Sequence, residues 1–160
     1  MEQTGTYIRI LRESLERKKE YLDEILSLTK EQEQLAKAEK FDEDAFEQIV
    51  DKKDIFINNI NEIDKGFDSV YKRVRVEIQE NKELYATELK TIQSLIRLCV
   101  DEGLAIEALE ERNKTSLESA IARSFKGMNQ VKQSKSVANK YYKSMANGMV
   151  NDSMLYDRKK

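Results

Sequence analysis

The chain contains no proline, and its five glycines stand far apart at positions 5, 66, 103, 127 and 148. Strands and tight turns ordinarily need Gly, Pro or Asn-Gly punctuation about every eight to twelve residues. A β-sandwich, a Rossmann fold or a glycine-rich phosphate loop is therefore not expected, and the fold class is all-α. With 36% of its 160 residues charged and a mean hydropathy of -0.71, the chain is too polar for a thick core. An elongated, antiparallel three-helix coiled-coil-like bundle with narrow apolar seams accommodates that composition.

Apolar spacing sets the expected boundaries. Helix 1, about 4–38, starts at a Thr4 or Thr6 cap and carries Ile8, Leu11, Leu15, Leu22 and Ile25 on one stripe before the pattern decays into the polar run from Lys30 to Lys40. The acidic turn around Phe41 to Glu47 leads into helix 2, about 43–65, with Ile49, Phe56, Ile60 and Ile63 on its seam. Gly66 reads as a left-handed stop, and Asp68 or Ser69 as a fresh cap. The competing reading runs the seam on through Phe67, Val70 and Val74, leaving Gly66 inside a helix. With the break, helix 3 spans about 69–125, with Gly103 and Asn113 as the points where it would bend. At about 1.5 Å per residue it would outrun its partners. Its apolar positions Leu109, Leu117, Ile121 and Phe125 would then lie uncovered, and an uncovered apolar stripe implies a partner.

Charge divides the chain in two. Residues 126–160 carry eight Lys/Arg against two Asp, a net +6, and the first 125 carry twenty against twenty-eight, a net -8. An acidic body, 1–125, thus carries a basic tail, 126–160, which is expected to be mobile alone and partly helical when bound. Four of the five methionines lie in that tail, and their unbranched thioethers adapt to varied partners. Val131, Ser134, Val137, Ala138, Tyr141, Tyr142, Met145 and Met149 keep approximate helical spacing there. Of these, Val131, Val137, Tyr141, Tyr142, Met145 and Met149 are joined by Met128 as the tail's contact candidates. Together with the helix 3 stripe they form the candidate partner-binding set. Folding back of the tail onto the body's own stripe is the main rival.

Enzymatic chemistry is poorly supplied. The chain has no histidine and one cysteine, so it lacks an imidazole base, an ordinary zinc site and a thiolate cluster. Cys99, between Leu98 and Val100 on the helix 3 seam, reads as a small buried apolar residue. No GxxxxGK or GxGxxG string occurs. No catalytic residue, metal ligand or cofactor is expected. The tail's charges are dispersed and the acidic body repels a polyanion, so nucleic acid is not expected as a partner either. No stretch is long and apolar enough for a membrane span, and no secretory signal is visible at the N-terminus, which points to the cytoplasm.

The segments Ala108-Leu109-Glu110-Glu111-Arg112-Asn113-Lys114, Ser134-Lys135 and Ala138-Asn139-Lys140-Tyr141-Tyr142-Lys143-Ser144-Met145, following two shorter helices, resemble the FlgN-type flagellar export chaperones of Gram-positive, Clostridia-like bacteria. The resemblance implies a cytoplasmic, non-enzymatic protein that binds the C-terminal helices of hook-filament junction subunits, prevents their premature assembly and delivers them to the membrane export gate. It places cargo contact from about Leu109 through Met149, and makes Tyr141 or Tyr142 the nearest candidate for a transient export-gate contact. A monomer or weak homodimer is expected on this reading. The alternatives from the residues alone are a structural coiled-coil homo-oligomer and a regulatory adaptor that sequesters a helical partner.

Overall fold

The computed structural model describes residues 2–124 and 136–147. Three long helices follow one another, α1 (Glu2–Lys37), α2 (Glu43–Glu80) and α3 (Ala86–Ser124), and a short fourth, α4, spans 136–147. The described residues contain no strand. The described residues are all-α and form four helices packed against one another, where three and a tail are expected from the sequence.

The heptad spacing that builds these helices continues further than its apolar members suggest. On α1 the buried residues Thr4, Ile8, Leu11, Leu15, Lys18, Leu22, Ile25, Thr29, Gln32 and Ala36 form an unbroken alternation of three and four, with Ser14 buried beside it. The seam does not decay after Ile25; it turns polar and small and stays inside. On α2 the same register runs through Phe46, Val50, Lys53, Ile57, Ile60, Phe67, Val74 and Ile78. On α3 it runs through Ile92, Cys99, Gly103, Ile106, Glu110, Asn113, Leu117 and Ala120. Gly103 and Asn113 are seam positions within one continuous helix, not bends.

The boundary between the second and third helices lies fourteen residues beyond the expected stop, and α2 passes straight through Gly66 to Glu80. An interior glycine costs about 1 kcal/mol relative to alanine, which the tertiary contacts on either side exceed. Phe67 and Val74 are buried beyond it, and Asp64 before it pairs with the buried Lys18 amine at 3.1 Å. Asp68 is no cap; it pairs with Lys72 one turn on, at 3.2 Å. The chain reverses instead at residues 81–85, where Asn81 closes α2 with its backbone and side-chain N–H groups both donating to the Glu77 carbonyl at 3.0 Å. Asn81 has φ -128°, and no described residue has positive φ. The turn therefore needs no glycine, and none marks it. At the other reversal, Asp42 accepts from the Ala45 N–H at 3.1 Å and caps α2. Thr4 lies inside α1, not at its cap, and donates to the Glu77 carboxylate.

Gly66 is exposed, and a Cβ there would meet nothing within 4 Å. Gly66→Ala should stabilise the protein by about 0.5–1 kcal/mol, read as a shift of the urea midpoint at unchanged slope.

Helices of 36, 38 and 39 residues are about 54–58 Å long at about 1.5 Å per residue. They match one another, so α3 leaves no overhang. Contacts between α1 and α2 run in opposite order along the two helices (Thr4 to Glu77, Lys18 to Asp64, Gln32 to Lys53). Those between α1 and α3 run in the same order (Leu15 to Cys99, Thr29 to Asn113, Ala36 to Arg123). Three apolar clusters stack along the helices. Ile8, Leu11, Leu15, Phe67, Val74, Ile78, Tyr85 and Ile92 form the first, and Leu22, Ile25, Ile57, Ile60, Cys99 and Ile106 the second. The third, Ala36, Phe46, Val50, Leu117, Val137 and Tyr141, includes α4. No described helix is long and apolar enough to cross a membrane.

Candidate functional site

The third cluster is where the sequence-derived partner residues meet. Leu109 and Leu117 are buried, and Ile121 is half-buried against the same group. Leu117 is covered by residues of α1, α2 and α4 together. The expected open stripe on the third helix is therefore closed at these positions, and at Leu117 and Ile121 it is closed by residues of α1, α2 and α4. Val137 and Tyr141 are fully inside, Tyr141 at 0% exposure, while Tyr142 and Met145 are half-buried. Phe125, Met128, Val131 and Met149 lie outside the described residues.

Residues 136–147 are thus a helix seated on the body without any other chain, which corrects the expectation of a tail that becomes helical only when bound. The reason is legible in the spacing. Val137, Tyr141 and Ser144 lie four and three residues apart, the seam spacing of the long helices, and all three are buried. The helix sits between α2 and α3. The Tyr141 ring packs edge-on against Phe46 of α2, with centroids 5.4 Å apart, and its hydroxyl donates to the Glu110 carbonyl of α3 at 3.3 Å. Ser144 donates to Asp54 of α2 at 2.7 Å, and Tyr142 to Glu118 of α3 at 2.9 Å. Lys140 reaches Asp51 at 2.5 Å and Glu47 at 3.5 Å. The basic tail thus meets the acidic body through specific pairs.

Beneath α4 lies a polar cluster. The Lys53 amine, 2% exposed, donates to Glu110 and to Gln32 Oε1, the latter at 2.7 Å, and stands 5.3 Å from the centre of the Tyr141 ring. Thr29 donates to the Ile25 carbonyl at 2.6 Å and reaches Glu110 at 3.4 Å, while Asn113 Nδ2 donates to the Thr29 carbonyl at 2.9 Å. Burial pushes the Lys53 pKa down against the opposing pull of the Glu110 carboxylate. Gln32 Nε2, Glu110 Oε2 and Asn113 Oδ1 are buried without a hydrogen-bond partner, so the cluster is costly for stability alone. Such seam polar groups fix helix register, because any shifted pairing leaves more of them unpaired. By residue type Lys53, Gln32 and Glu110 look like solvent-facing residues. The signal that finds them is position, since each falls on the heptad of its helix.

The same geometry makes the tyrosines titrate late. Burial, with the nearby Glu110 carboxylate, holds the Tyr141 hydroxyl far above its ordinary value of 10.0. Tyr142 is pushed up to about 12 by burial and its bond to Glu118. A raised acid pKa means that the unfolded chain releases its proton first. The stabilisation is complete below pH 10.0 and is lost as pH rises above it. Tyr141→Phe should cost about 1 kcal/mol at neutral pH through the lost hydroxyl bond. That deficit should close in urea melts taken above pH 10.0, where the wild type alone bears the ionisation.

Comparison with protein-family models, with curated proteins and with solved structures finds no match for the chain.

Proposed function

We propose that the chain is a non-enzymatic, helix-binding export chaperone of the FlgN type, an elongated helical bundle that works in the cytoplasm. It receives the C-terminal helices of hook-filament junction subunits, keeps them from assembling early and hands them to the membrane export gate. The observation that carries this reading is the seat between α2 and α3, which holds a short amphipathic helix by one buried aromatic ring and a rim of charged and hydroxyl contacts. A body built to hold such a helix suits a protein whose cargo ends in one. The resemblance of the segments around Leu109 and Tyr141 to the chaperone family supplies the cargo class.

The reading is tested by titrating the full chain with synthetic C-terminal peptides of junction subunits in a calorimeter at several temperatures. Saturable binding with a negative heat-capacity change, lost on scrambling the peptide, is expected. Absence of heat for every such peptide, with intact helical circular dichroism, would sink the flagellar assignment.

A further inference from the structure

The seat itself defines a ligand. Its floor is apolar, with Phe46, Val50 and Leu117, and it presents one buried cation, Lys53, whose amine faces an aromatic ring. Its rim is acidic: Glu47, Asp51 and Asp54 on α2, and Glu118 on α3, each bonded to a side chain of α4. The present occupant matches this feature by feature. Tyr141 supplies the ring, Val137 the apolar residue one turn before it, Lys140 the cation for the α2 carboxylates and Ser144 a hydroxyl one turn later.

This occupant is also the helix easiest to remove. Val137, Tyr141 and Ser144 are its only fully buried members among the described residues, and Lys140 is partly exposed to solvent. Pairs of that kind are readily exchanged for those of another chain. The polar cluster of Lys53, Glu110 and Gln32 beside that floor can also take up water when uncovered, which a wholly apolar seat cannot.

We propose that the groove between α2 and α3 is a docking site for a basic amphipathic helix of a partner protein, and that α4 is a built-in competitor that fills it until the partner arrives. The partner helix carries a tyrosine or phenylalanine at the centre of its apolar face, an aliphatic residue four positions earlier, and a lysine or arginine next to the ring. The proposal deepens the helix-binding reading above and rests on it; its main test uses no flagellar peptide, and junction peptides serve only to separate its failure from that of the chaperone reading. If the seat is shared in this way, apparent affinity is the intrinsic affinity scaled by the fraction of chains with α4 displaced.

The test uses a fluorescein-labelled peptide of residues 136–147, followed by anisotropy against the full chain and two full-chain variants, Tyr141→Ala and Lys140→Glu. Both substitutions lie on α4 and leave the groove walls untouched. Each variant is expected to bind the peptide at least about tenfold more tightly than the wild type. A peptide with alanine in place of its Tyr141 should bind none of them. Should Tyr141→Ala not fold, Lys140→Glu carries the same reading, since it alters only the rim. Equal affinity for the wild type and the folded variants would overturn the proposal. So would a wild-type dimer in sedimentation that the peptide dissociates, because the groove would then belong to a second copy. Binding of junction peptides that neither variant alters would leave the chaperone reading standing and overturn the groove.

Discussion

Glu110→Leu should destabilise the protein by about 3–5 kcal/mol, far more than a change of similar volume at the surface. The loss comes from what stays behind. Lys53 is 2% exposed, its pKa is already lowered by burial, and Glu110 is the first charge that opposes that lowering. Without Glu110 the amine must either stay charged in an apolar site or shed its proton. Lys53→Met should cost a similar amount by orphaning Glu110. The double variant Lys53→Met/Glu110→Leu should come within about 2 kcal/mol of the wild type, because well-packed apolar residues replace a buried ion pair at little net cost. It is not expected to exceed the wild type, since Gln32 Oε1 loses the Lys53 amine at 2.7 Å. Urea melts of the four proteins measure the coupling directly. The sign with pH follows from the lowered pKa. Between the folded value of Lys53 and 10.5, the unfolded chain binds more protons, so stability rises with pH. The deficit of Glu110→Leu should shrink as pH is raised toward that limit.

Phe46→Ala should cost about 3–5 kcal/mol and loosen α4 as well. The ring is 0% exposed and meets Phe41 and Tyr141 edge-on, with centroids 5.6 Å and 5.4 Å away. Its removal opens a cavity between the first turns of α2 and the returning helix, next to the Tyr141 ring of α4. Hydrogen exchange at 136–147 should therefore accelerate more than exchange in the first two core clusters. Ile55, on the same helix but 61% exposed, is the control. Ile55→Ala should change stability by less than about 0.5 kcal/mol.

The sequence is most readable where seam positions are apolar. Ile8, Leu11, Leu15, Leu22 and Ile25 lie on the expected stripe of α1, and all are buried. The start of α2 is announced by an acidic run and a capping Asp42. Legibility fails where physics does not need the residue type that usually marks a feature. Gly66 looks like a stop, but a helix tolerates it when Phe67 and Lys18 hold both flanks. The true turn at 81–85 uses ordinary φ values and so carries neither glycine nor proline. One displaced boundary had a large consequence. It lengthened the expected third helix and made Leu117 appear uncovered, when equal helices and α4 enclose it. The polar cluster was hidden for a different reason. Lysine, glutamine and glutamate are read as surface by type, and only the heptad register, carried without interruption past Ile25 on α1, shows that Gln32, Lys53 and Glu110 face inward.

Tyr141 illustrates both outcomes together. Its spacing and aromatic character single it out as a contact residue, and it is one, but the surface it contacts belongs to its own chain. This gives the two functional ideas a common site. On the proposed reading, the helix that the chain lends to its own groove is the template for the helix it receives.

The most direct measurement is hydrogen exchange of the full chain, with and without a saturating peptide from the C-terminus of a junction subunit, read at residues 46–54, 110–118 and 136–147. The expected result is protection maintained or increased on the two groove walls with protection lost across 136–147, the signature of one helix replacing another. Peptide that binds while 136–147 stays protected, or that leaves exchange unchanged throughout, would contradict the exchange of helices in the groove.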